Sequence, residues 1–460
     1  VNQPSSPPPH SVLSILALVL AILGFVAGIF PFAGVIGTVG LILALVDRNS
    51  ADPPDRPQRH DLASVSIVLG TLSTLGALVW GVFFLMGLSA LNRGSCPHLY
   101  AHDGEGYKLD ADLASGALYK GAERDDTDRL ESLREVDGAY LLRLQNDLDE
   151  VDHIDSLSLL VVDAPEGAEV LPTPTQRLLS LRTPLPLQSA VDAGGRSVTD
   201  ELSSPDGRAI GVERGVLPGA GREPRDTWTL SFGRPEGRRA FLVIRGRNTD
   251  FAEEAFIRYM ATMGQGVRPL LELSAENYKG CACYQDYVAS EIERMGFPLR
   301  IQIAGMAAVG QPEALPPVGP AILRSQVVPV ELPAGAGPVE VRLEATPRFW
   351  EIDQVALFAE GHEVTPQEIR PQSARSVRGD ELNALLANDG QRVVLQPGER
   401  VDLRFAAPQA PAAGLTRTVV AQLRGYYDLD IGGPVGVNTA QIVAHHMGWT
   451  SLPRFAERLP

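Results

Sequence analysis

The densest concentration of reactive side chains lies in NDLDEVDHID, where Asp147, Asp149, Glu150, Asp152 and Asp155 crowd together. Calcium takes roughly six to eight oxygens, and clustered carboxylates can supply them. The spacing departs from the EF-hand loop, which needs a glycine at its sixth position. A carboxylate pair could also act as acid and base on a glycosidic bond. The simpler expectation is a solvated acidic loop between two strands. Residues 103–155 as a whole hold 16 acidic against six basic residues.

A second group is thiol and imidazole. CPHLYAHD holds Cys96, His98 and His102, and YKGCACY, far along the chain, holds Cys281 and Cys283. These are zinc-ligand types, although C-x-H-x-x-x-H is not a standard finger spacing. Three cysteines are too few for a disulfide scaffold. In an oxidising compartment they permit one bond, Cys96 to Cys281 or to Cys283, with one thiol left over. His445 and His446, in IVAHHMGW, would point about 100° apart on a helix, a poor chelate. A capping or surface role is expected for them. Phe349 with Trp350, and Tyr426 with Tyr427, are the aromatic concentrations. Exposed, they would form a ligand or partner surface; buried, they would be sandwich core.

Recognised catalytic signatures are missing: the chain has no G-x-S-x-G elbow, no P-loop and no H-E-x-x-H. No catalytic residue is therefore assigned, no enzyme is expected, and no cofactor is predicted, with calcium as the alternative. A net charge of −16 argues against a nucleic-acid partner, which wants a basic footprint.

The elements that would position these residues change character along the chain. From Ser11 to Val46 there is no charged residue. As a single helix this block would measure about 54 Å, against a hydrocarbon core of roughly 30 Å. Pro31 divides it, and a second uncharged block runs from Leu62 to Asn92. Two to three transmembrane helices are expected over 11–92. Gly24, Gly28, Gly34, Gly37 and Gly40 would let them pack closely, on one another or against another membrane protein. The loop 47–61 carries Arg48, Arg56 and Arg59 and is assigned to the cytoplasm. The large C-terminal part then lies outside the cytoplasm. Arginine dominates over lysine, which occurs only at Lys108, Lys120 and Lys279, as in a bacterium with a GC-rich genome.

Beyond Cys96 the chain reads mainly as strands. TWTLSFGRPEGRRAFLVIRG, with Trp228, Leu230 and Phe232 alternating before an R-P-E-G turn, and RVVLQPGERVDLRF, with Val401, Leu403 and Phe405 on one face, are expected as hairpins. VEVRLEA alternates Val339, Val341 and Leu343. DFAEEAFIRYMATMG has helical composition. In QDYVASEIERMG, Val288, Ile292 and Met295 form one helical stripe, expected as core. The resulting division is a polar tail 1–10, a membrane region 11–92, an acidic α+β domain 96–295, a β-sandwich 296–430 and a tail 431–460.

Two resemblances accompany this reading. The segment 10–90 resembles the small glycine-rich membrane domain found at the front of many bacterial proteins. PLRIQIAG, SQVVPVELP and GPVEVRLEATPRFWEIDQVALF are similar to the jelly-roll sandwiches of galactose-binding-like domains, matched at Phe349, Trp350, Ile352, Asp353, Val355 and Leu357. RVVLQPGERVDLRF and LTRTVVAQLRGYYDLD resemble the C-terminal region of bacterial extracellular proteins associated with enediyne clusters. They imply a fold, which by itself names no function. The expected protein is thus membrane-anchored and mainly β, with transmembrane helices followed by an α+β domain and a jelly-roll-like β-sandwich. It would sit in the bacterial cytoplasmic membrane as an extracytoplasmic binding or assembly protein, with a membrane-protein or cell-envelope partner, as an accessory subunit of a larger complex. The alternatives are a carbohydrate-binding module, with its site near Trp350, and an envelope-polysaccharide hydrolase.

Overall fold

A computed structural model describes residues 97–211, 225–278, 281–306 and 314–459, together with Ile42. The chain divides into Val1–Asn92 and Arg93–Pro460, and the fold below is that of the second unit. It is mainly β. Among the described residues no helix is long and apolar enough to cross a membrane. That corrects the fold expected from sequence, which led with two to three transmembrane helices. The segments assigned to those spans, with Gly24, Gly28, Gly34, Gly37 and Gly40, lie outside the described residues.

Among the described residues twenty-one strands form four sheets, antiparallel throughout. The first sheet is built around β1 (His98–His102), β2 (Tyr107–Asp112), β5 (Ala139–Gln145), β17 (Pro371–Ser376) and β20 (Arg400–Ala406). The second contains β3 (Arg124–Arg129), β6 (Glu150–Pro165), β16 (Gln367–Ile369), β19 (Val393–Leu395) and β21 (Leu415–Leu429). They share a core that includes Leu99, Leu142, Leu144, Ile154, Phe405 and Leu423. This is the first sandwich.

The second sandwich consists of the strands from β7 (Glu169–Pro172) to β15 (Trp350–Val364). One of its sheets holds β7, β8 (Leu178–Leu185), β11 (Arg239–Asn248), β13 (Arg324–Glu331) and β15. The other holds β9 (Leu187–Asp192), β10 (Asp226–Phe232), β12 (Arg300–Ile303) and β14 (Val339–Ala345). The chain leaves the first sandwich after β6 and returns to it at β16, so the second is an insertion into the first. Each of the four sheets takes strands from both sides of residue 295.

Alternation along the strands decides burial as expected. Val339, Val341 and Leu343 of β14 point inward, as do Trp228, Leu230 and Phe232 of β10. The expected hairpins are not hairpins, however. β10 pairs with β9 and β14, whereas β11 pairs with β13 and β15 in the opposite sheet. Similarly β19 pairs with β6, and β20 with β5 and β17. The turns between them cross from one layer of a sandwich to the other. Both layers present an inward apolar face, so periodicity alone does not identify the neighbouring strand.

β11 shows how the insertion is buried on two sides. Leu242 and Ile244 face the core of the second sandwich. Phe241 and Val243 face a separate apolar cluster with Leu179, Leu181 and Phe358. Such a strand reads as a continuous apolar run rather than an alternation, and FLVI is that run.

Between β11 and β12 the chain forms α2 (Asp250–Ala261), α3 (Val267–Asn277) and α4 (Ala282–Arg294); α1 (Thr199–Leu202) is a single turn earlier in the insertion. The Thr249 hydroxyl accepts from Ala252 N at 3.1 Å and caps the start of α2. Gly264, at φ +88°, reverses the chain after α2 and touches the Gly436 carbonyl so closely that a Cβ would not fit. After β21 the chain returns to these helices through α5 (Thr439–His446) and α6 (Leu452–Ala456). α3 had no counterpart in the sequence reading.

Candidate functional site

The residues singled out by sequence are dispersed. Along β6, Glu150 and Asp152 point inward and are buried, at 2 % and 0 % exposure. Asp147 and Asp149 precede the strand and face outward. The Asp155 carboxylate accepts from Gly390 N at 2.9 Å. Asp147 accepts from the Tyr100 hydroxyl at 2.6 Å and lies 2.9 Å from His98 Nδ1. The solvated loop expected here is therefore half interior, because a strand sends alternate side chains to opposite faces. Glu150 and Asp152 meet each other in the interior, away from the outward Asp147 and Asp149, and among the described residues the cluster forms no metal site.

The proposed zinc set is not assembled either. His98 belongs to Asp147; His102 Nδ1 accepts from Gly104 N at 3.1 Å. Cys281 and Cys283 are bonded to each other, which corrects the expected pairing of either one with Cys96, a residue outside the described set. Among the described residues no group of three or more potential ligands comes together to hold a metal ion. Phe349, Trp350, Tyr426 and Tyr427 are all buried, and Trp350 Nε1 donates to the Phe297 carbonyl at 2.6 Å. They are core, not surface, because Trp350 begins β15 and Tyr426 and Tyr427 lie near the end of β21, where both faces are covered.

What the fold does assemble is a cavity of about 330 Å³. That lies within the range of small-molecule sites, roughly 300–1,000 Å³. Its walls come from α2, α3, α4 and α5, with Tyr119 and Tyr427 contributed by the first sandwich. The wall is predominantly apolar. Phe256 and Met260 of α2 meet Leu271 of α3, and Val288, Ile292 and Met295 complete the α4 side. The helical stripe expected as core is therefore cavity wall, and its three residues are only half-buried. Leu270, Tyr287 and His446 line the cavity and are also exposed.

The polar groups of the cavity are few. Glu253 of α2 faces it and is 8 % exposed. Asn248 is committed to the backbone: it donates to the Phe349 carbonyl at 2.8 Å and accepts from Val318 N at 2.9 Å. The Tyr427 hydroxyl accepts from Gly116 N at 3.1 Å.

His445 forms the far wall. It is 2 % exposed, its Nδ1 lies 2.9 Å from the Tyr259 hydroxyl, and its Nε2 lies 2.8 Å from Glu291 Oε2. With Nε2–H donated to the carboxylate, Nδ1 accepts the tyrosine proton, so both ring nitrogens are occupied. The group ties α2, α4 and α5 together; it does not present a free base to the cavity. Burial works to raise the Glu291 carboxyl, but the His445 hydrogen bond and Arg294 outweigh it and hold it below its ordinary range. Burial also pushes the Tyr259 hydroxyl up. His445 thus leaves the surface role expected for it. His446 keeps one, stacking beside Tyr287.

Three features escaped sequence reasoning: α3, the Tyr259–His445–Glu291 chain and Glu253. Only Glu253 left a local signal. It shares its helix face with Phe256 and Met260, at i, i+3 and i+7, a carboxylate within an apolar stripe.

No family model matches this chain, and no curated protein or solved structure matches it.

Proposed function

We propose that the protein is a receptor for an apolar small molecule, held in the cavity beneath α2, α3 and α4 without covalent chemistry. The observation that carries this reading is the cavity itself, lined by apolar side chains of α2, α3, α4 and α5 with a small number of polar groups at the wall. Apolar concavities with few polar groups are the usual form of small-molecule sites. Binding is favoured over catalysis because both imidazoles at the wall, His445 and His446, have both ring nitrogens committed. Glycan binding and polysaccharide hydrolysis are less favoured, since the aromatics assigned to the first are buried and, of the carboxylates assigned to the second, the pair that meets, Glu150 with Asp152, is buried too.

The test is saturable binding of a neutral fluorescent probe, N-phenylnaphthylamine, to the full chain. Met263 lines the cavity and is buried, so Met263→Trp fills it. The expected result is one saturable site lost in Met263→Trp and retained in Val377→Ser, a change at an exposed position distant in sequence. Probe binding that is unchanged in Met263→Trp would sink the reading.

A further inference from the structure

We propose that the Cys281–Cys283 disulfide is a second functional site, a thiol–disulfide exchange centre that accepts two electrons from a dithiol, with Cys283 as the sulfur attacked and Cys281 as the leaving group. Neither cysteine lines the cavity, so the proposal goes beyond the receptor reading and stands apart from it. Three observations lead there. First, the bond does little for the fold. It joins cysteines two positions apart, whereas a disulfide constrains the unfolded chain more the longer the loop it closes. It ties the start of α4 to itself and not to another helix or a sheet.

Second, the bond is reachable from one side. Cys283 is exposed and Cys281 is half-buried, so an incoming thiolate meets the Cys283 sulfur. Exposed disulfides are the ones that exchange, while buried structural ones resist reduction.

Third, Cys281 is placed to carry negative charge. It is the N-cap residue of α4, and the Cys283 N–H donates to its sulfur at 3.2 Å. Its own N–H donates to the Tyr278 carbonyl at 2.9 Å, which holds the cap in place. The first turn of α4 contains no carboxylate to oppose a thiolate. Once the bond opens, the same N–H and the positive end of the helix face the Cys281 thiolate and stabilise it. A stabilised thiolate is the faster leaving group.

The exchange runs in two steps. One thiolate of the dithiol attacks Cys283 Sγ; a mixed disulfide forms, the Cys281–Cys283 bond breaks, and Cys281 leaves as a thiolate that takes up a proton. The second thiolate of the dithiol then attacks its partner sulfur in the mixed disulfide, closing the dithiol's own disulfide and releasing Cys283, which is protonated in turn. The dithiol loses two electrons and two protons, and the chain gains both.

The experiment follows reduction of the full chain by dithiothreitol, quenched in acid, alkylated and read by mass spectrometry on the tryptic peptide 280–294. Reduction is expected to be about tenfold or more faster in the folded chain than in the same chain unfolded in urea. With the monothiol glutathione, the mixed disulfide should sit on Cys283 and the alkyl label on Cys281. In single variants, alkylation of Cys281 in Cys283→Ser should rise at lower pH than alkylation of Cys283 in Cys281→Ser. Repeating the reduction with reduced thioredoxin separates the sources of the dithiol: exchange faster than with dithiothreitol assigns it to a protein, slower exchange to a small molecule, and either supports the centre. Reduction no faster in the folded chain than in the unfolded one overturns the proposal. Glutathione found on Cys281, or equally on both, overturns the assignment of attacked and leaving sulfur.

Discussion

Both sandwiches have an apolar core, and they differ in what else they bury. The first encloses ionisable groups: Asp112, Asp126, Asp128, Glu150 and Asp152 are all buried in or beside it. The second and its helices enclose an apolar core and, at their edge, an apolar cavity. Arg324 lies where the two meet. It belongs to β13 of the second sandwich and is itself buried. It reaches Asp126 of β3 in the first with two bonds, of 3.0 and 2.9 Å, and donates to the Thr127 carbonyl at 2.7 Å. Arg245 repeats the link, bonded to Asp353 and to Glu131. Non-directional apolar contact joins the two sandwiches, while these directional bonds register them. A bidentate guanidinium–carboxylate pair fixes orientation in a way that apolar contact cannot.

The sharpest way to break this arrangement is Arg324→Ala. It strands Asp126 and Asp128 in the interior, and loss of one partner of a buried pair costs about 3–5 kcal/mol. Urea unfolding should show a loss of that size; a loss below about 1 kcal/mol, typical of exposed pairs, would show that the ions do not register the sandwiches.

The next largest effect is on pH. Burial, with the neighbouring Asp126 and Asp110 charges, pushes Asp128 up to about 7 against the pull of Arg324. Burial likewise raises Asp152 to about 7. Folded-state values above the unfolded ones mean that folding takes up protons, so this stability is complete near pH 4 and is lost as pH rises toward 7. At about 1.4 kcal/mol per pKa unit, the Asp152 rise by itself corresponds to a loss of up to about 4 kcal/mol. Asp152→Asn should flatten the slope between pH 4 and 7. An unchanged slope would place the proton elsewhere.

The smallest effect belongs to the second region. His445→Ala leaves the Tyr259 hydroxyl and Glu291 without their imidazole partner, at a cost of about 1–3 kcal/mol. Because the tie spans α2, α4 and α5, hydrogen exchange should rise in those helices and stay unchanged in β5 and β6. Uniform loss of protection would mean that the tie supports the whole unit rather than the cavity wall.

Some of this could be read before the fold was known. Val339, Val341 and Leu343 announced a strand and its buried face, because strand geometry alone alternates the side chains. The composition of DFAEEAFIRYMATMG announced the helix α2. The α4 stripe of Val288, Ile292 and Met295 was legible as an apolar face, but not as the wall of an empty space. Periodicity reports which side of a helix avoids water and says nothing about how completely the opposite surface fills it. The cavity depends on α2, α3 and α5 standing off α4, and α5 lies about 150 residues further along the chain.

Local chemistry therefore determined, by itself, that the chain from Cys96 onward is β-rich, which strand residues turn inward, and where two of the helices lie. Their partners were decided only by tertiary structure. Two inward faces of one sandwich look alike to a single strand, so the sequence alone could not show that β10 and β11 part into opposite sheets. Nor could it show that Glu150 and Asp152 are buried while Asp147 and Asp149 are wet, since burial of a carboxylate is set by what folds over it. Glu253, His445 and Glu291 meet around one cavity for the same reason: long-range packing brings them together, and no local rule encodes it.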